Sequence, residues 1–129
     1  MNTLNNAATL TGRILIAAIF LISGIGKITG YAGTQAYMES AGVPGALLPL
    51  VIALEVGGEL AIIAGFFTRW VALALAGFSI AAAVLFHSNS ADQMQQILFM
   101  KNLAIAGGFL FLYAFGPGGW SLDARRARS

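Results

Sequence analysis

The chain has 129 residues, of which 58% are hydrophobic and only 9% charged, with a mean hydropathy of +0.81. An average soluble domain carries about 25% charged residues, so this composition excludes a water-soluble domain and makes lipid part of the solvent. Cysteine is absent, which excludes disulfides, iron–sulfur clusters and thiolate zinc sites within the chain.

Four apolar segments follow one another, at about 10–28, 49–67, 70–86 and 91–115, before a basic tail at 117–129. Each approaches the ~20 helical residues that cross a ~30 Å hydrocarbon layer. Helices are required because lipid leaves no partner for an unpaired backbone group. The expected fold is therefore all-α, an integral membrane four-helix bundle in an antiparallel up-down arrangement, forming one domain. The first segment lacks a positive charge before Arg13 and an A-x-A cleavage site, so it is expected to be retained rather than removed as a signal peptide.

Between the segments lie the breaks. Gly30-Tyr31-Ala32-Gly33 ends the first segment, and Gly42, Pro44 and Gly45 interrupt the connection that follows. Pro49 suits the first turn of the second helix. Thr68-Arg69 makes a tight second connection. Ser90 and Gln93 have the spacing of a capping box at the start of the fourth helix. Gly116-Pro117-Gly118-Gly119 stops that helix. Glu59 to Phe66 also echoes Asn102 to Phe109, either as the trace of a duplicated hairpin or by chance among a few membrane residue types.

Basic residues set the orientation. Arg13, Arg69, Arg125, Arg126 and Arg128 fall on the side of both termini, whereas the two opposite connections hold Glu39 and Asp92 but no Lys or Arg. The positive-inside rule then places both termini in the cytoplasm. The basic tail reads as a topology signal and an anchor for anionic lipid, not as a nucleic-acid site.

Within the apolar runs stand Lys27, Glu55, Glu59 and Lys101. Charges at membrane depth are costly and are paired or functional. Glu55 and Glu59 are four apart and share a helix face. Counted from Pro49 they lie roughly 9 and 15 Å deep, and Lys101 lies roughly 15 Å deep in the fourth helix. Matching depths pairs Glu55 with Lys27, and Glu59 with Lys101 and Asn102. Two readings stay open: static ion pairs that fix helix register, or a polar pocket that binds a small ligand or relays protons. Arg13 reads as a snorkelling, orienting residue and His87 as an interfacial one, with ligand roles the lesser reading for both. No metal set is visible, because lysines neighbour the carboxylates.

Several ordered stretches carry a family resemblance. They are Gly12-Arg13-Ile14-Leu15, Ser23-Gly24-Ile25-Gly26-Lys27, Leu54-Glu55-Val56-Gly57-Gly58, Ile63-Ala64-Gly65-Phe66-Phe67-Thr68-Arg69, and Met100-Lys101-Asn102-Leu103-Ala104 with Gly107-Gly108. Together, from about 10 to 115, they resemble the DoxX family of small four-helix membrane proteins. The resemblance implies a bundle in the bacterial inner membrane. It also implies a loose link to redox systems, since some relatives accompany thiosulfate:quinone oxidoreductases and others membrane complexes of redox-stress defence. One His and no Cys leave no bis-His haem or iron–sulfur site in the chain. No cofactor is intrinsic, and a redox role would need a mobile quinone or a redox partner subunit. Besides the lipid bilayer, a second copy in a homo-oligomer is an open partner. A membrane subunit of a redox system, a non-catalytic scaffold and, less favoured, a small-solute carrier are the functions to separate.

Overall fold

The computed structural model describes residues 2–87 and 92–128. Among these there are helices and turns but no strand. We name the helices α1 (Thr3–Thr29), α2 (Tyr31–Ser40), α3 (Gly45–Ala64), α4 (Thr68–His87), α5 (Gln93–Phe115) and α6 (Leu122–Arg128). Four of them, α1, α3, α4 and α5, are long and apolar enough to span a membrane. They form the expected bundle, with α1 packed on α3 and α4 on α5.

The distribution of side chains fits lipid as solvent. Leu15, Ile22, Leu50 and Phe111 are each about two-thirds exposed on the outside of the bundle, where only acyl chains could cover them. The inside is built from small residues, Ala17, Ala72, Ala76 and Ala106, interleaved with Phe20, Ile62, Leu75 and Phe109. Helices in lipid gain no hydrophobic drive against each other, so close backbone approach at small residues holds them. Gly24 is one such point. A Cβ there would stand 2.8 Å from Val56 Cγ2 and 3.2 Å from Glu55 Cβ, so any larger residue would push α3 away from α1.

α3 is not one regular helix. It opens with a 3₁₀ turn at Gly45–Leu47, is α-helical over Leu48–Ile52, widens to a π-helical turn at Ala53–Gly57, and closes as α-helix at Gly58–Ala64. π-turns of this kind cluster at functional positions. Here the turn carries Glu55.

Four elements differ from the sequence expectation. The first span starts at Thr3 rather than about residue 10, with the Asn2 side chain accepting from the Asn5 N–H at 2.8 Å as its cap. The connection after the first span contains α2, whose Thr-Gln-Ala-Tyr-Met-Glu run is rich in helix formers. α3 ends at Ala64 rather than 67, because Gly65 takes the left-handed conformation (φ 72°) that terminates helices. The reversal is therefore residues 65–67, and Thr68 and Arg69 already belong to α4. Finally, the basic tail is ordered as α6, with Ser121 Oγ accepting from the Ala124 N–H at 3.1 Å as its N-cap. The expected Ser90–Gln93 capping box falls partly outside the described residues; α5 starts at Gln93, with the Asp92 carboxylate accepting from the Met94 N–H at 3.0 Å.

Candidate functional site

At the end of the bundle away from the termini, α1, α2, α3, α4 and α5 enclose a cavity of about 370 Å³. Its body is apolar, with Ile19, Phe78 and Ile105 in the walls. Its polar side holds Lys27, Glu55, Lys101, Asn102 and His87, five of the residues singled out in the sequence. They come from four separate helices, so the bundle assembles the group rather than any local motif.

Lys27 Nζ lies 2.7 Å from Glu55 Oε1 and donates to Ser23 Oγ at 2.8 Å. This is the depth pairing expected for these two residues. The Glu55 side chain is 2% exposed and that of Lys27 25%, so the acid is sealed while the ammonium keeps a path into the cavity. Asn102 is buried and Lys101 exposed along the same side. His87 Nδ1 lies 2.8 Å from Gln95 Oε1, tying the end of α4 to the start of α5. α2 closes this end, with Tyr37 stacked on Phe86 at a ring separation of 5.4 Å.

The second expected pair is not formed. Glu59 is fully buried, but neither carboxylate oxygen has a hydrogen-bond partner and no Lys or Arg reaches it among the described residues. Nor does it line the cavity. The depth count assumed an unbroken α-helix. The π-turn at Ala53–Gly57 widens the backbone there and alters the register between Glu55 and Glu59. Glu55 therefore faces the cavity, while Glu59 points into packed helix. Lys101 sits at the right depth but without that partner.

Arg13 lies far from this group, at the termini end, and is 2% exposed. The reading as a snorkelling residue is therefore corrected. Its guanidinium donates to the Ile62 and Ile63 carbonyls at 3.3 and 3.2 Å and to the Trp120 carbonyl. The Ile63 carbonyl is among those left without a helical partner at the end of α3, and the Ile62 carbonyl also accepts from the Gly65 N–H at 3.2 Å. One side chain thus ties α1, α3 and the tail together. Gly65 must be glycine here for a second reason, since a Cβ would collide with Ser121 and the Arg13 guanidinium.

The tail returns the favour to α4. The Asp123 carboxylate accepts from the Phe67 and Thr68 N–H groups, both at 2.8 Å, capping that helix from 55 residues away. The Asp123 N–H donates to the Gly65 carbonyl at 2.8 Å, and the Gly119 N–H to Asn6 Oδ1 at 3.0 Å. Burial alone would push the Asp123 carboxyl up, but the Thr68 and Phe67 N–H groups and Arg126 outweigh it and hold it below the usual carboxylate range. Arg126 lies 4.7 Å from the centre of the Phe67 ring. The sequence shows all these residues but not their meeting, because no local pattern links Arg13, residues 65–68 and Asp123.

The DoxX family model matches residues 8–88, which cover the first three spans. Two curated relatives from Escherichia coli (strain K12) are similar over nearly the whole chain. "Inner membrane protein YqjF" is 56% identical over 123 residues, 95% of this chain and 95% of the relative. "Inner membrane protein YphA" is 40% identical over 123 residues, 90% of this chain and 88% of the relative. No solved structure matches. With four apolar spanning helices and these relatives, the protein is a multi-pass inner-membrane protein. On the family match and on near full-length identity, the chain belongs to the DoxX family.

Proposed function

We propose that the protein is a membrane subunit of a redox system that holds a small lipophilic ligand of the quinone class in the cavity between its spans. One observation carries the reading: Lys27, Glu55, Lys101, Asn102 and His87 come from four helices to line one largely apolar cavity. Its volume of about 370 Å³ falls in the ~300–1,000 Å³ range of small-molecule sites, which pair apolar walls with a few placed polar groups. Asn102 would donate a hydrogen bond to the ligand's head. A quinone takes up two protons with the two electrons that reduce it to the quinol, and the Lys27 ammonium beside Glu55 could supply one of them and be reprotonated from solvent. The redox assignment rests on family membership; the chain holds no Cys and one His, so electrons would come from a partner subunit.

Protein purified in mild detergent and extracted with organic solvent should release a quinone, identified by mass spectrometry. Asn102→Leu, which keeps the branched shape and removes the amide, should fold and carry several-fold less of it. A preparation with a stoichiometric protein partner and no small lipophile would instead support a scaffold role.

The proposed orientation puts both termini in the cytoplasm and the cavity in the periplasmic half. It rests on the five arginines at the termini end against none at the other. Reporter fusions after Ser129 and near Ser90 should report cytoplasm and periplasm respectively. A periplasmic signal from the tail fusion would reverse the assignment.

A further inference from the structure

The charges around the cavity do not cancel. Lys27 and Glu55 neutralise each other at 2.7 Å, and Asn102 is neutral. Lys101 remains. The chain has five acids: Glu39, Glu55, Glu59, Asp92 and Asp123. Glu55 holds Lys27 and Asp123 holds Arg126. None of the five lies within ion-pair distance of the Lys101 ammonium, and no masked residue between 88 and 91 is acidic.

Lys101 also lies deep. It is the ninth residue of α5, roughly 12 Å along the axis from the helix start. An ammonium at that depth is costly unless something of opposite charge meets it. Glu59, the partner expected from counting along an ideal helix, is fully buried and does not line the cavity. The open position beside Lys101 is the cavity itself, whose far walls are apolar.

We infer that the cavity also accepts a lipophilic acid, an anionic head on an apolar body, and that Lys101 is the residue that selects the charged head. This rests on the reading that the cavity takes a lipophilic ligand, and it names a second class of occupant beside the neutral quinone. The acid could be a free single-chain one or the headgroup of a membrane phospholipid. Both would present the same anion to Lys101. The Lys27–Glu55 pair would sit beside that head without competing for it, because its charges are already matched.

The test uses two probes with one apolar chain, dodecanoate and dodecanol, titrated into the full-length protein in a non-ionic detergent and followed by calorimetry. A short-tailed neutral quinone is the third probe. Wild-type protein should bind dodecanoate about tenfold or more tightly than dodecanol, as expected for one charge-assisted contact. Lys101→Met should bring the two within about twofold, and Lys101→Arg should keep the preference, which separates charge from packing. Running the variants side by side cancels partition into micelles. Displacement of dodecanoate by phosphatidylglycerol would identify a membrane lipid as the source, and its failure a free acid. Equal affinity for acid and alcohol, or a preference that survives in Lys101→Met, would overturn the inference. Binding of quinone and dodecanol without dodecanoate overturns it while leaving the ligand-binding reading intact. Binding of none of the three overturns both.

Discussion

Arg13→Met is expected to lower the stability of the bundle by roughly 3 kcal/mol or more. Hydrogen bonds from a charged donor are worth about 1.5–3 kcal/mol each, and buried acceptors left unpaired add a penalty of ~1–3 kcal/mol. Arg13 serves three carbonyls, those of Ile62, Ile63 and Trp120, from a position 2% exposed. Met fills much of the volume, so the loss reports the bonds and not a cavity. Arg13→Lys should recover only a small part. A lysine carries the charge, but its compact ammonium cannot span carbonyls of two chain segments as the planar guanidinium fork does. Thermal unfolding in detergent measures the first effect, and protease sensitivity of the 117–128 segment measures release of the tail. If Arg13 merely snorkelled, Lys would substitute freely and Met would cost within about 0.5 kcal/mol, as surface changes do; either result would remove Arg13 from the fold's framework.

The second large effect belongs to Lys27 and Glu55. Removing one member of a fully buried pair costs about 3–5 kcal/mol. Lys27 keeps a quarter of its side chain exposed, so roughly 2 kcal/mol is expected for Lys27→Met or Glu55→Gln alone. The double variant should lose clearly less than the sum, with a coupling of about 1–2 kcal/mol, because no charge is then stranded. Glu59→Gln with Lys101→Met is the matched control. That pair shares a depth but no contact, so its losses should add within about 0.5 kcal/mol. Coupling at Glu59–Lys101 and none at Lys27–Glu55 would reverse the site as drawn here.

Four spans were legible because hydropathy runs of the right length leave lipid few alternatives. The Lys27–Glu55 pair was legible from depth alone, since Lys27 lies within a turn of the end of α1 and the count from Pro49 to Glu55 crosses fewer than two turns. Glu59 was not. Its partner was inferred by counting along an ideal helix, and nothing in Ala-Leu-Glu-Val-Gly announces a π-turn. α2 had a signal in its helix-forming composition, obscured by the glycines around it. Ser121 before Leu-Asp-Ala-Arg-Arg-Ala carried a signal for α6, but its three arginines fit a topology signal equally well. The role of Arg13 had no local signal, because its partners are backbone atoms 49 to 107 residues away.

That last arrangement bears on how the protein is made. A ribosome delivers the chain from the N-terminus, and all four spans can enter the bilayer before residues 120–123 emerge. Until then the reversal between α3 and α4 lacks the Asp123 carboxylate that caps α4, and Arg13 lacks the Trp120 carbonyl. The hairpin between α3 and α4 is thus finished by residues that follow all four spans in the sequence. Entry of the spans and closure of this hairpin are therefore separable events, because the second also needs residues 120–123.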